Sequence, residues 1–331
     1  MRTLTALLLF SLAGLACAQE RIIVDRAYVQ DAAKRNVLIL DARNSVEYKK
    51  GHLPGAISIG DLAQVLRNDN TEDFLANERI EKILGTAGID PTHEIIIYGQ
   101  RGTWNPYFGQ YTMQYFGGTQ ARVYHDGIED WISAGLPVSR EEMKRAPIAL
   151  KLKPNPEASV STRDVIARLN RNDVQIVDAR TPREFAGEDI RAIRGGHIPG
   201  AVNIPYEQNW VDPATPQKLA RREVSDTLGM SLKSVEQLKA LYSGLDPSKE
   251  TIVYCQSGAR ASETAGVLQQ LGFSKVKVYD SSWLGYGNTL DAPANNATFF
   301  NVGLLNGRIA SMQNRIDFLE REVAETKAGR K

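Results

Sequence analysis

Short runs of aliphatic and β-branched residues alternate along the chain with stretches in which apolar side chains recur every three or four positions. The runs are Val37–Leu40, Ile95–Tyr98, Gln175–Val177, Ile252–Tyr254 and Val276–Tyr279. Near-continuous apolar runs of this length suit parallel strands covered on both faces, where no polar side is needed. Helical spacing marks Ser161–Asn170, Ser234–Tyr242 and Ala261–Leu271, with Thr162 (Asp164 nearby) or Ser234 as candidate caps. Strand, helix, strand in succession predicts an α/β fold, each domain a mostly parallel sheet flanked by helices.

The pattern occurs twice. Val37-Leu-Ile-Leu-Asp41-Ala-Arg43 through Glu47-Tyr48 returns as Val174-Gln-Ile-Val-Asp178-Ala-Arg180 through Glu184-Phe185, and Gly51-His52-Leu-Pro54-Gly55-Ala56 as Gly196-His197-Ile-Pro199-Gly200-Ala201. Ile95–Gln100 returns as Thr251–Gln256, and Val123–Asp126 as Lys277–Asp280. Four blocks in one order mean a duplicated globular domain, since the unit is far too long for a solenoid repeat. The expected division is residues 19–139, a proline-bearing linker over 140–159, and a second domain over 160–292. Beyond it, residues 293–331 read as an amphipathic C-terminal helix. There Leu305, Ile309, Met312, Ile316, Leu319 and Val323 follow steps of 4, 3, 4, 3, 4. That spacing serves either a helix packed on its own body or self-association through residues 305–323.

The first 18 residues change the setting. Arg2 precedes an apolar stretch, Leu4 to Leu15, and Ala16-Cys17-Ala18 offers small residues ahead of Gln19-Glu20. The stretch falls short of the roughly 20 residues of a spanning helix and reads as a cleaved signal peptide. Export, to a periplasm, is therefore expected, with no integral membrane segment after processing. A lipoprotein anchored at Cys17 is the other reading, although Gly14 stands where a lipobox wants a large aliphatic residue.

Composition removes several function classes. Lys and Arg number 40 against 39 Asp and Glu, so there is no basic excess for nucleic acid. Two cysteines and four histidines, scattered, make neither a disulfide framework nor a zinc cluster. Cleavage after Ala18 would leave Cys255 as the only thiol. It opens the sequence Cys255-Gln256-Ser257-Gly258-Ala259-Arg260, directly after a strand pattern and before a helix. Loops in that position hold ligands in open α/β sheets, and their N–H groups can converge on an anion. Gly258 permits the tight turn, and with Arg260 near, Cys255 is the expected nucleophile.

Together, the Asp-x-Arg-x-x-x-Glu-aromatic block, the Gly-His-Ile-Pro-Gly-Ala block and the Cys-x-x-Gly-x-Arg loop resemble a tandem-domain rhodanese. Such proteins are thiosulfate or 3-mercaptopyruvate sulfurtransferases. The resemblance implies that Cys255 carries a persulfide between a small anionic sulfur donor and a thiophilic acceptor such as cyanide, with no cofactor or metal. It implies thiosulfate as donor, with Gln256 to Arg260 cradling the sulfur, and Arg260, Arg183 and Arg194 as candidate anion contacts. Family members that cleave phosphate or arsenate esters resemble a Cys-x5-Arg loop, whereas Arg260 here makes Cys-x4-Arg. A mercaptopyruvate enzyme and a non-enzymatic persulfide carrier are the alternatives. The first copy has Gly99 at the cysteine position and is expected to be inactive, with Trp104, Tyr107 and Phe108 either walling the cleft or filling its own core. Asp178, Arg180, His52 and His197 read as structural, Asp280 to Trp283 as support for the loop. Glu184 stands where tandem thiosulfate enzymes often carry Arg.

Overall fold

The computed structural model describes residues 21–328; the expected signal peptide lies outside them. In the first copy, β1 (Leu38–Asp41), β2 (Ile57–Ser58), β3 (Ile95–Tyr98) and β4 (Ala121–Tyr124) form a sheet ordered β2-β1-β3-β4, parallel throughout. In the second, β5 (Ser159–Val160), β6 (Val174–Asp178), β8 (Ala201–Asn203), β9 (Glu250–Tyr254) and β10 (Val276–Tyr279) give the order β5-β10-β9-β6-β8, again parallel. Every residue of β1, β3 and β4 is buried, as runs without polar alternation require.

The two copies share a core. Helix Asn105–Tyr115 of the first lies against helix Ala259–Gln270 of the second, so close that a Cβ on Gly266 would come within 2.8 Å of the Tyr107 ring. Gln269 donates to Gln114 Oε1 across the same seam (3.1 Å). These helices follow the equivalent loops of the two repeats, so the Gly99 and Cys255 loops sit on either side of one interface. Residues 140–158 run without helix or strand along the first domain, pinned by Ile148 N–H to Gly85 O (2.9 Å) and Leu152 N–H to Glu81 Oε1 (2.8 Å).

Local expectations shift in three places. Ser161, not Thr162, caps helix Thr162–Arg168, closing a capping box with Asp164. The residues after 293 are not all helix: β11 (Asn295–Phe299) first pairs antiparallel with β7 (Arg194–His197). The helix then runs over Val302–Ala328 with no side chain buried, so it packs on neither domain among the described residues.

Candidate active site

Strand β9 delivers Cys255 to the base of a cleft with only 1% of its surface exposed. The chain then turns through Gly258, whose φ of +81° lies in the left-handed region, into helix Ala259–Gln270. A Cβ at this position would stand 2.7 Å from both Asp280 O and Asp280 Oδ1, so glycine is required by φ and by space alike. Ser282 clamps the loop from below. Its Oγ accepts from the N–H groups of Cys255 (3.0 Å) and Gly258 (2.9 Å) while donating to Tyr279 O (2.7 Å). Trp283 and Leu284 N–H groups bind the carbonyls of Cys255 and Gln256. With these carbonyls turned away, the N–H groups of Gln256, Ser257, Ala259 and Arg260 keep no hydrogen-bond partner among the described residues. Those of Ala259 and Arg260 open a 12-residue helix and those of Gln256 and Ser257 lie in the loop just before its Gly258 cap, an environment that favours negative charge beside the thiol.

The cleft above Cys255 has a volume of about 570 Å³ and two walls from different domains. Asp61, Gln64, Arg67 and Trp104 come from the first; Arg191, Tyr206, Glu207 and the loop come from the second. Arg67 is the main tie between them. Its guanidinium lies over the Phe108 ring at 4.3 Å and donates to Ser257 O and Asp280 Oδ1. Burial lifts the Asp280 carboxyl to about 6, against the pull of Arg67 and with Asp73 adding to the rise. Beside it, Ser281 Oγ donates to Asp73 Oδ1 (2.6 Å). The first domain therefore holds the loop of the second in shape.

The charged groups are arranged differently from the sequence expectation. Arg260 lines the cleft, but both its terminal nitrogens bind Glu184, each at 2.8 Å. Burial pushes the Glu184 carboxyl up, yet this fork and the Thr181 N–H bring it down to about 2. The Arg260 charge is thus largely spent inside the protein. Arg183 is a correction: its side chain is 75% exposed, faces Glu188 at 3.6 Å and does not line the cleft. Arg194 is another: buried in β7, it donates to the carbonyls of Thr289 (2.9 Å) and Ala292 (2.8 Å), and holds the turn after helix Ser282–Asn288. The cation that does reach the cleft mouth is Arg191, half exposed and only 3.3 Å from Glu184. Arg67, Arg191, Tyr206 and Glu207 were not singled out by sequence. All four lie outside the repeated blocks.

The rhodanese-like domain model matches residues 25–134 and again 161–289, which is most of the chain and both copies. The chain belongs to the rhodanese-like family. A thiosulfate sulfurtransferase of Corynebacterium glutamicum is 31% identical over 264 residues, covering 76% of this chain and 81% of that protein. A sulfur carrier protein, TtuD, of Thermus thermophilus is 29% identical, covering 83% and 97%. Among solved structures, the 3-mercaptopyruvate sulfurtransferase SseA of Escherichia coli superposes with a TM-score of 0.65 at 25% identity, over 79% of this chain and 98% of that one. These similarities support the sulfurtransferase class.

The two rhodanese-like domains differ at the cysteine position for physical reasons. A Cβ on Gly99 would meet Pro106 Cγ and Thr103 Oγ1 at 3.1 Å, because Pro106 occupies the first turn of the following helix. Side chains fill the space that Cys255 faces in the second domain. The expected wall aromatics divide: Trp104 lines the cleft, while Tyr107 and Phe108 are fully buried in the shared core. Asp178 and Arg180 form a buried fork at the end of β6, with Arg180 also donating to Gly196 O (2.7 Å); Asp41, Arg43 and Gly51 repeat this in the first domain. His197 stacks on Phe185 and His52 on Tyr48, each ring Nδ1 bonded to that residue's carbonyl. All six fix turns, three in each copy.

Proposed function

We propose that this protein is a thiosulfate sulfurtransferase working through a persulfide on Cys255. The observation that carries the reading is the placement of a free thiol at the base of the cleft, at the start of a loop and helix N-terminus where four N–H groups have no hydrogen-bond partner among the described residues. The Cys255 thiolate attacks the outer sulfur of thiosulfate. The donor's S–S bond breaks and sulfite leaves with the bonding pair. The persulfide's terminal sulfur then lies among the N–H groups of Gln256, Ser257, Ala259 and Arg260, where negative charge is stabilised without a metal. A thiophilic acceptor such as cyanide attacks that sulfur, the second S–S bond breaks, and the thiolate is restored. Ping-pong kinetics follow. Since Glu184 holds Arg260, the backbone N–H groups and Arg191 are the anion contacts assigned here, and Arg260 acts on donor binding through its competition with Glu184.

Thiocyanate formation from thiosulfate and cyanide tests this reading. Turnover that disappears in Cys255→Ala supports it; turnover that survives contradicts it. The Thermus thermophilus relative's name favours a second reading, delivery of the persulfide to another macromolecule. Sulfur loading without turnover on small acceptors would select it, and loading from 3-mercaptopyruvate alone would reassign the donor. We further propose, on the apolar stretch Leu4 to Leu15 followed by the small residues Ala16 to Ala18, that this chemistry takes place outside the cytoplasm.

A further inference from the structure

The C-terminal helix has an unpartnered face with a regular composition. Val302, Leu305, Ile309, Met312, Ile316, Leu319 and Val323 recur in alternating steps of three and four, and each is between 39% and 65% exposed. The positions that open each step of three are Val302, Ile309, Ile316 and Val323, all β-branched. The positions that close it are Leu305, Met312, Leu319 and Thr326. In heptad terms these are the a and d sites, and β-branched a residues with Leu at d favour two parallel strands. From Val302 to Val323 the stripe extends about 30 Å at a rise of 1.5 Å per residue.

The flanking charges choose the orientation. In a parallel, in-register pair, Arg315 of one copy faces Glu320 of the other, and Glu322 faces Lys327, each pair occurring twice by symmetry. An antiparallel pair would set Arg315 beside its own copy. A membrane surface is a poorer match, because the remaining faces mix Arg308, Arg315 and Arg321 with Asp317, Glu320, Glu322 and Glu325 instead of presenting a basic face. At its base the helix leaves β11 beside exposed Phe299, Phe300 and Ile193, with Phe300 N–H bonded to Ile193 O (3.0 Å). Exposed apolar side chains therefore also stand on the catalytic domain at the base of the helix.

We infer that residues 302–327 pair with the same helix of a second copy of this chain as a parallel, in-register two-stranded coiled coil, with both catalytic domains at one end. The test is light scattering of the purified mature chain at micromolar concentration, beside the Ile309→Asp/Ile316→Asp variant and a Leu319→Cys variant under mild oxidation. Twice the chain mass is expected for the native protein, falling to one chain mass in the double variant with thiocyanate formation unchanged. Leu319→Cys should give a covalent dimer that the native protein does not form, since Leu319 meets its own copy only in the parallel register. A native monomer overturns the inference, as does a dimer that persists in the double variant. A dimer without cross-linking at position 319 overturns the parallel arrangement, and binding to lipid vesicles by a monomeric chain would reassign the stripe to a membrane surface.

Discussion

Glu184→Gln isolates the contribution of the ion pair at the cleft. The substitution keeps the side chain's shape and an oxygen for the Thr181 N–H, and removes the carboxylate that holds Arg260. In the folded protein that carboxyl sits at about 2 against an ordinary 4.5. At roughly 1.4 kcal/mol per pH unit the difference corresponds to about 3 kcal/mol of folding free energy. The sign follows from the lowered value: the contribution is complete above pH 4.5 and is lost as pH falls toward 2. By pH 3 somewhat under half of it remains. Urea unfolding of native and variant proteins should therefore show a gap of about 3 kcal/mol at pH 7 that shrinks by more than half at pH 3. A second readout is kinetic. With its partner neutral, the Arg260 guanidinium is released toward the cleft, and the KM for thiosulfate should fall several-fold with little change in kcat, as expected for added uniform binding. A stability gap that does not vary between pH 7 and pH 3 would refute the assigned pair. A KM that rises would refute the competition between Glu184 and the donor.

Other substitutions probe the loop and its supports. Because burial lifts Asp280 to about 6, its tie to Arg67 is complete only above that pH; kcat/KM should rise through about pH 6, and a limb that persists in Asp280→Asn would show that another group is responsible. The same raised value means that the carboxyl's stabilising contribution is fully present below its ordinary 3.8 and lost as pH rises through 6, so Asp280→Asn should be more stable than the native chain at pH 7 if Arg67 keeps its bond to Ser257. Gly258→Ala should cost about 1–3 kcal/mol from its strained φ and crowding, and depress turnover, whereas Gly244→Ala, with open space around it, should change neither. Gly99→Cys in a Cys255→Ala background should take up no sulfur, because Pro106 and Thr103 occupy that site; a gain of sulfur would show that the first domain is inactive only for want of a thiol.

The elements that position the nucleophile were legible because they rest on local, repeated signals. Strands such as Ile95–Tyr98 announce themselves by unbroken apolar character, and Cys255 by following one of them and preceding Gly258. What escaped was set by contacts distant in sequence. Arg67 reaches Asp280 from the other domain, 213 positions away, and no spacing rule connects them. Glu184 holds Arg260 across 76 positions, so a cation that looked free in the loop is paired in the fold. Arg183 and Arg194 carried the right charge, but helix register turns the first outward and β7 carries the second into a cage of carbonyls. The short strand β11 went unseen because its sequence, Asn-Asn-Ala-Thr-Phe, has little apolar alternation and takes its register from β7.

Intact-mass measurement of the purified chain before and after thiosulfate, and again after cyanide, addresses Cys255 as the sulfur carrier. The native protein should gain the mass of one sulfur atom, lose it to cyanide with thiocyanate released, and repeat the cycle over many turnovers, while Cys255→Ala gains nothing. A native chain that gains no sulfur from either thiosulfate or 3-mercaptopyruvate, or a Cys255→Ala chain that still gains it, would contradict the assignment.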